Sequence, residues 1–314
     1  MPQPHDCVLL LAYGAPERME DVRPFLDNVL RGLPVPKERY EAVVHHYELL
    51  GGKSPLNELT AKQAEGLRGV LGGELPIYVG MRFAKPYIFT AIRDMLKDGR
   101  RRAIAIILAP YRSEPSFEKY VEAVQEVLAA APEGSLTVEF VEPWFDQPLF
   151  ADAQADEVQK AYDRLPEAER AGAALLFTAH SIPTAVAARC PYVQQIEHAC
   201  AAVGERLGRS WRLVWQSRSG NPRTPWLEPD VNAALAELKE QGGTAVVLCP
   251  IGFISDHVEV MYDLDLEAAQ TCRDLGIAMS RASTVNDHPR FIEALAALVR
   301  EHAGRGSALT SVSA

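Results

Sequence analysis

A chain of 314 residues is long enough for one large or two medium domains, each burying a core of its own. Its formal charge of −10 disfavours nucleic acid, a partner that asks for a basic face. Apolar residues at 47% and charged residues at 24%, with no apolar run longer than a strand, predict a soluble globular protein without a membrane span.

From the N-terminus, short apolar runs at 7–12, 77–81, 103–109, 136–141, 174–178, 211–215, 244–249 and 278–282 read as strands. Nearly all are continuous instead of alternating, as expected of parallel strands covered on both faces. Amphipathic helical patterns such as 117–130 and 229–241 lie between most of them, which is βαβ logic throughout. The eight strands fall into two sets of four, and the sets echo each other. Pro110 at the end of the third strand recurs as Pro250, 140 residues on. Asp146-Gln147-Pro148-Leu149-Phe150 recurs as Asp287-His288-Pro289-Arg290-Phe291, 141 residues on. The expected fold is therefore α/β, with two similar doubly wound, Rossmann-like domains on parallel four-stranded sheets. We place the domains at 1–147 and 148–303, with 304–314 as an unstructured tail. The first half carries extra sequence around 31–60, at the carboxyl edge of its sheet, where such folds bind ligands; a solvent-facing helical hairpin is the plainer alternative.

Five scattered cysteines (Cys7, Cys190, Cys200, Cys249 and Cys272), without a CxxC pair, predict reduced core thiols in a cytoplasmic protein. The N-terminus shows no basic flank or apolar stretch of a signal peptide, in keeping with that location.

Strand five delivers His180-Ser181-Ile182-Pro183 to the crevice edge. A histidine there suits proton transfer at neutral pH, while one satisfied by a backbone carbonyl is the commoner case. After strand seven, Glu259, Asp263 and Glu267 recur at i, i+4 and i+8, which puts three carboxylates along one helical stripe beside Asp265. Such a stripe is either a solvated acidic face or a path for a hydrated divalent cation. Asp256 is placed to cap that helix. Tyr13, Met81 with Arg82, and Trp215-Gln216-Ser217 leave other strands in the same way, with Pro225-Trp226-Leu227 close behind. Aromatic rings, Met and Arg at several strand mouths suit a flat apolar ligand with anionic edges. No GxGxxG or GxxxxGK[ST] cradle occurs, so nucleotide use is disfavoured, and Ser181 lies in no GxSxG elbow.

These blocks resemble the ferrochelatase family. Ala179-His180-Ser181-Ile182-Pro183, Trp215-Gln216-Ser217, Pro225-Trp226-Leu227 and Pro250 through Val260 match its signatures in order, as do Gly51-Gly52 with Ser54-Pro55 and the opening run to Pro16. The resemblance covers about residues 7 to 300 and implies a chelatase-like pair of domains around a porphyrin cleft. It implies that His180 and Glu259 flank the porphyrin centre and accept its pyrrole protons. It further implies a metal route along His180, Glu259, Asp263, Glu267 and Tyr13, with Tyr13, Arg31, Tyr47, Ser54, Met81, Trp215 and Gln216 against the porphyrin. Tyrosine at position 13, where protoporphyrin-using members carry methionine, is similar to the coproporphyrin III branch; His46 departs from that branch, which has arginine there. The expected partners are porphyrin and ferrous iron, the latter a substrate, with transient contacts to neighbouring haem-pathway enzymes. No cysteine follows Cys272, so no iron–sulfur cluster and no tightly bound cofactor are expected, and the chain is expected to be a monomer. The alternatives are a protoporphyrin IX ferrochelatase, a cobalt or sirohydrochlorin chelatase, and a haem or metal carrier without turnover.

Overall fold

A computed structural model describes residues 4–132, 134–219 and 223–308, the last five as backbone alone. The first half runs β1 (Cys7–Ala12), α1 (Met19–Val29), α2 (Lys37–Leu49), α3 (Leu56–Val70), β2 (Ile77–Met81), α4 (Ile88–Lys97), β3 (Arg102–Ile107), a π-turn at Glu114–Glu118, α5 (Lys119–Ala129) and β4 (Thr137–Phe140). The second runs α6 (Pro148–Arg164), α7 (Glu167–Arg170), β5 (Ala174–His180), α8 (Thr184–Ala187), α9 (Tyr192–Leu207), β6 (Arg212–Gln216), α10 (Val231–Glu240) and β7 (Ala245–Cys249). It closes with α11 (Val258–Val260), a π-helical segment (Met261–Ala268), α12 (Ala269–Leu275), β8 (Ala278–Arg281) and α13 (Pro289–Ala308).

All eight expected strands are present, in two parallel sheets ordered β2-β1-β3-β4 and β6-β5-β7-β8. The central strands β1 and β7 are buried at every position, which is why they read as unbroken apolar runs. β5 extends beyond its expected end, so that His180 itself pairs with Gln216 in the ladder to β6.

Chain order and packing agree at α6 and part company at α13. α6 leaves β4 and covers the second sheet, packing Ala155, Val158 and Ala161 with Leu175, Phe177 and Val247. α13 leaves β8 and returns to the first sheet, packing Phe291, Leu295 and Val299 with Val8, Leu10, Ile104 and Ile106. Residues assigned by chain order to the second domain thus complete the core of the first, because the first sheet has one face that the helices of its own half leave for α13 to cover. The repeated Asp-x-Pro-x-Phe runs meet at this exchange: Phe150 and Phe291 lie 5.8 Å apart, with Trp144 5.1 Å from Phe150 and 5.8 Å from Phe291. Tyr111 Oη also reaches across, donating to the carbonyl of Ile251 at 2.9 Å.

The extra sequence of the first half folds back as α1–α3 instead of standing in solvent. Val22, Leu26, Val44 and Tyr47 form a small core closed by Val258 of the second half. Gln63 on α3, fully buried, donates to Ser255 Oγ at 2.9 Å and to the Asn286 carbonyl at 2.8 Å. The tail also differs from expectation. α13 runs to Ala308, since extending an established helix adds a backbone hydrogen bond per residue; 309–314 lie outside the described residues. Among the described residues, no helix is long and apolar enough to cross a membrane.

Candidate active site

His180 is fixed by its own strand and by a strap. Ser181 N donates to the Gln216 carbonyl at 2.8 Å and Ser181 Oγ to the Leu227 carbonyl at 2.9 Å. Leu227 N donates to Ile182 O at 3.0 Å and Thr184 N to Pro225 O at 3.0 Å. The run Pro225-Trp226-Leu227 therefore pins the segment after His180. Gly252 sits where a Cβ would come within 2.6 Å of Ala179 Cβ, so only glycine lets the loop after β7 pass this close.

The imidazole has both expected partners at once. Nδ1 lies 2.5 Å from the Ser181 carbonyl and must donate to it, leaving Nε2 3.4 Å from Glu259 Oε1. A bare Nε2 lone pair facing a carboxylate is repulsive, whereas a proton there makes an ion pair. Burial works against the imidazolium, but the Glu259 charge and the Ser181 carbonyl outweigh it and raise His180 to about 9. Burial likewise favours neutral Glu259, and the His180 charge overrides it to bring Glu259 down to about 2. At neutral pH the pair holds one proton and no net charge.

Glu259 opens a helical run formed by α11, the π-helical segment and α12. The cap is His257, whose Nδ1 accepts from Val260 N at 3.2 Å. Asp256 does not fill that role, because Arg281 and Asn286 take up its carboxylate at 2.9 and 3.1 Å. Asp263 is buried and accepts from Gln216 Nε2 at 3.0 Å and from the Ser217 hydroxyl; Gln216 is oriented in turn by Thr178 Oγ1 at 2.7 Å. Burial, then the Glu259 charge, lifts Asp263 to about 7. Ser217 is held at φ +61°, a costly conformation for serine, with its hydroxyl against Asp263 and Glu259. Glu267 is exposed at the outer end of the run.

A carboxyl group raised from 3.8 to about 7 binds its proton more tightly folded than unfolded, so ionising it opposes folding as pH rises through that range. Asp263→Asn is therefore expected to raise stability by about 1 to 2 kcal/mol at pH 8 and to change little at pH 4, while slowing the reaction. Urea midpoints at the two pH values check this; equal shifts at both would contradict it.

The first half supplies the facing wall. Tyr13, 40% exposed, lies 4.7 Å from Phe83 and 6.3 Å from Phe25, and Gly14 at φ +85° lets the chain cross tightly over Ala84. Burial, then the Glu259 charge, lifts the Tyr13 phenol to about 12; the same causes in the same order raise Tyr47, so both phenols sense Glu259. His46 stacks on Tyr262 of the π-helical segment at 3.4 Å, closing α2 against it.

The other expected porphyrin contacts are placed differently. Met81 and Trp215 are buried, the latter packed 6.2 Å from Tyr192, and Gln216 is turned to Asp263. Ser54 is 1% exposed, with its hydroxyl accepting from Leu56 N at 3.4 Å. Arg31 is exposed in the turn after α1. Among the described residues, no group of three or more His, Cys, Asp or Glu side chains is arranged to hold a metal ion. Ser217, Ser181 and Tyr192, whose hydroxyl donates to the His180 carbonyl at 3.1 Å, were not among the expected site residues. Ser181 and Ser217 have one legible signal, adjacency to a strand end that already carried His180 or Gln216, and Tyr192, at the start of α9, has none.

Two doubly wound halves, with an imidazole–carboxylate pair facing an aromatic wall, define the class of the metal chelatases. In fold alone, SirB from Bacillus subtilis, solved with Fe3+, superposes with a TM-score of 0.64 over 97% of this chain and 98% of its own at 13% identity. The sirohydrochlorin chelatase SirB of subspecies spizizenii, in complex with cobalt, gives 0.58 over 96% of both at 12% identity. At the level of sequence, the ferrochelatase family model matches residues 5–303. A ferrochelatase of Rhodopirellula baltica is 43% identical over 96% of this chain and 87% of its own. Coproporphyrin III ferrochelatases of Mycolicibacterium smegmatis and Mycobacterium avium are 41% and 42% identical over 94% of this chain and 89% and 88% of theirs. The chain belongs to the ferrochelatase family, lyases of haem biosynthesis whose substrates are a porphyrin and iron.

Proposed function

We propose that the chain inserts ferrous iron into coproporphyrin III, with Glu259 and His180 accepting the two pyrrole protons. The observation that carries the reading is the His180–Glu259 pair, 3.4 Å apart and opposite Tyr13. Chelation exchanges one dication for two protons, so it needs two acceptors at one face of the macrocycle. At rest the pair offers one, the carboxylate. A divalent cation approaching the pair disfavours the imidazolium, and loss of that proton supplies the second. Asp263 and Glu267 extend the negative field outward along the helix, in the direction from which a hydrated cation is drawn.

Coproporphyrin III is supported by Tyr13 and by the printed activities of the mycobacterial relatives. Its four propionates suit the exposed Arg31, and Ser54, Met81 and Trp215 then shape the cleft from behind. The reaction is placed in the cytoplasm, with a monomer using no tightly bound cofactor and no iron–sulfur cluster. Purified protein given Fe2+ is expected to convert coproporphyrin III with kcat/KM about tenfold or more above that for protoporphyrin IX, because two further carboxylates are bound. Preference for protoporphyrin IX would overturn the substrate assignment. Tight binding without turnover would make the chain a carrier.

A further inference from the structure

We infer that Arg281 is the positioning residue that sets Glu259 and Asp263 at the reacting centre, by gripping the chain on both sides of them. The inference rests on the proposed roles of those two carboxylates and goes beyond them. Arg281 is the last residue of β8, on the sheet that also delivers His180. Its Nη1 donates to Asp256 Oδ1 at 2.9 Å, three residues before Glu259. Its Nε and Nη2 hold Asp265 Oδ1 and Oδ2 at 2.6 and 3.0 Å, just beyond Asp263. One guanidinium thus ties both ends of the segment to the strand beside β7.

The geometry is specific to arginine. A planar fork meets one carboxylate with two parallel bonds and keeps a third N–H for another, whereas an ammonium does neither in fixed geometry. The Arg281 side chain is 15% exposed, so these bonds are poorly screened. Of the four acidic residues from Glu259 to Glu267, Glu259 meets the His180 ring while Asp265 is gripped by the Arg281 guanidinium. A second anchor supports the near end: Asn286, at φ +47°, accepts from Asp256 N at 2.9 Å and donates to Asp256 Oδ2 at 3.1 Å. Glu259 must meet His180 from a run that turns π-helical two residues on, a rare geometry seldom sustained over eight residues, and a two-ended grip holds it in place.

The test uses Arg281→Lys, Asp265→Asn and the double variant in the full chain. Misplacement by about 1 Å costs on the order of 100-fold in rate, so each single variant is expected to lose 10- to 100-fold in kcat while binding coproporphyrin within about threefold of wild type. The double variant is expected to lose no more than the worse single one, because both remove the same grip. The His180 Hε1 resonance reports the Glu259 position without any turnover and is expected to shift in all three. A purely structural role would lower the urea midpoint but leave kcat and the resonance in place at low temperature, and that result would overturn the inference. Should Arg281→Lys fail to fold, the isosteric Asp265→Asn alone decides by the same two readouts. If Glu259→Gln turned over normally, the proposed role of Glu259 would fall, while the resonance would still show whether Arg281 positions it.

Discussion

Glu259→Gln is expected to lower turnover by about 10²- to 10⁴-fold while porphyrin binding stays within about threefold. The amide fills the same space but takes no proton. Its second effect falls on His180. With the carboxylate charge gone, burial is the main influence left on the imidazole, and its pKa drops below the ordinary value instead of standing near 9. His180→Ala acts in reverse. It removes what holds Glu259 near 2, burial pushes that carboxyl group up, and the remaining acceptor becomes a neutral acid. Glu259→Gln thus leaves a neutral imidazole that can still take one proton, whereas His180→Ala leaves no acceptor, so the double variant should be slower than Glu259→Gln but no slower than His180→Ala. Single-turnover kinetics with Fe2+ checks this. A near-normal rate in either variant removes that residue from its role, and additive losses would mean that the two act independently.

The same pair has a signature in stability. His180, raised above its unfolded value of 6.5, contributes fully below that pH and ceases to contribute as pH climbs through about 9. Glu259, depressed below 4.5, contributes fully above that pH and ceases as pH falls through about 2. Both describe one interaction, complete between about pH 4.5 and 6.5 and lost on either side. The family resemblance was legible because its blocks sit at strand ends, where sequence and chemistry coincide. Strands were readable because most are continuous apolar runs, β1 and β7 above all, with the outer strands β4 and β8 the weaker signals. His180 and Glu259 stood out as candidates by lying beyond strand ends, but a backbone-satisfied histidine and a solvated acidic face were as compatible with the pattern, and the family resemblance is what singled them out. Partners that arrive from elsewhere in the chain left no such mark. Arg281 looked like an ordinary charged residue at a strand end, and nothing local tied it to Asp256 and Asp265. Ser217 gave no sign of its left-handed backbone, since serine is not a residue that usually marks one. Asp256 has the composition of a cap, and a distant guanidinium claimed it. Gln216 and Trp215 were expected against the ligand because strand ends are where ligands lie, and Ser54 because the resemblance implied it. Burial and hydrogen bonds turn them inward instead.

Phe291→Ala is expected to cost about 3 to 5 kcal/mol, a large part of the 5 to 15 kcal/mol that holds a typical domain folded. Phe291 is fully buried where α13 lies on the first sheet, packed with Trp144 and Phe150. Truncation leaves a cavity between the helix that ends one half and the strands that begin the other, and neither can close it without the other moving. Because α13 of the second half covers the first sheet, and α6 adds Phe150 and Ala153 to that same core, losing α13 uncovers an apolar face of the first half and frees part of α6. The halves are therefore expected to unfold together. In urea, the fluorescence of the four tryptophans and far-ultraviolet circular dichroism should follow one transition in the wild type and in Phe291→Ala, shifted in the variant to a lower midpoint with an unchanged slope. Two separated transitions would show that the halves are independent after all. At temperatures where the variant stays folded, its turnover should be close to normal, because the His180–Glu259 pair is set by β5, β8 and the grip of Arg281, not by this aromatic cluster.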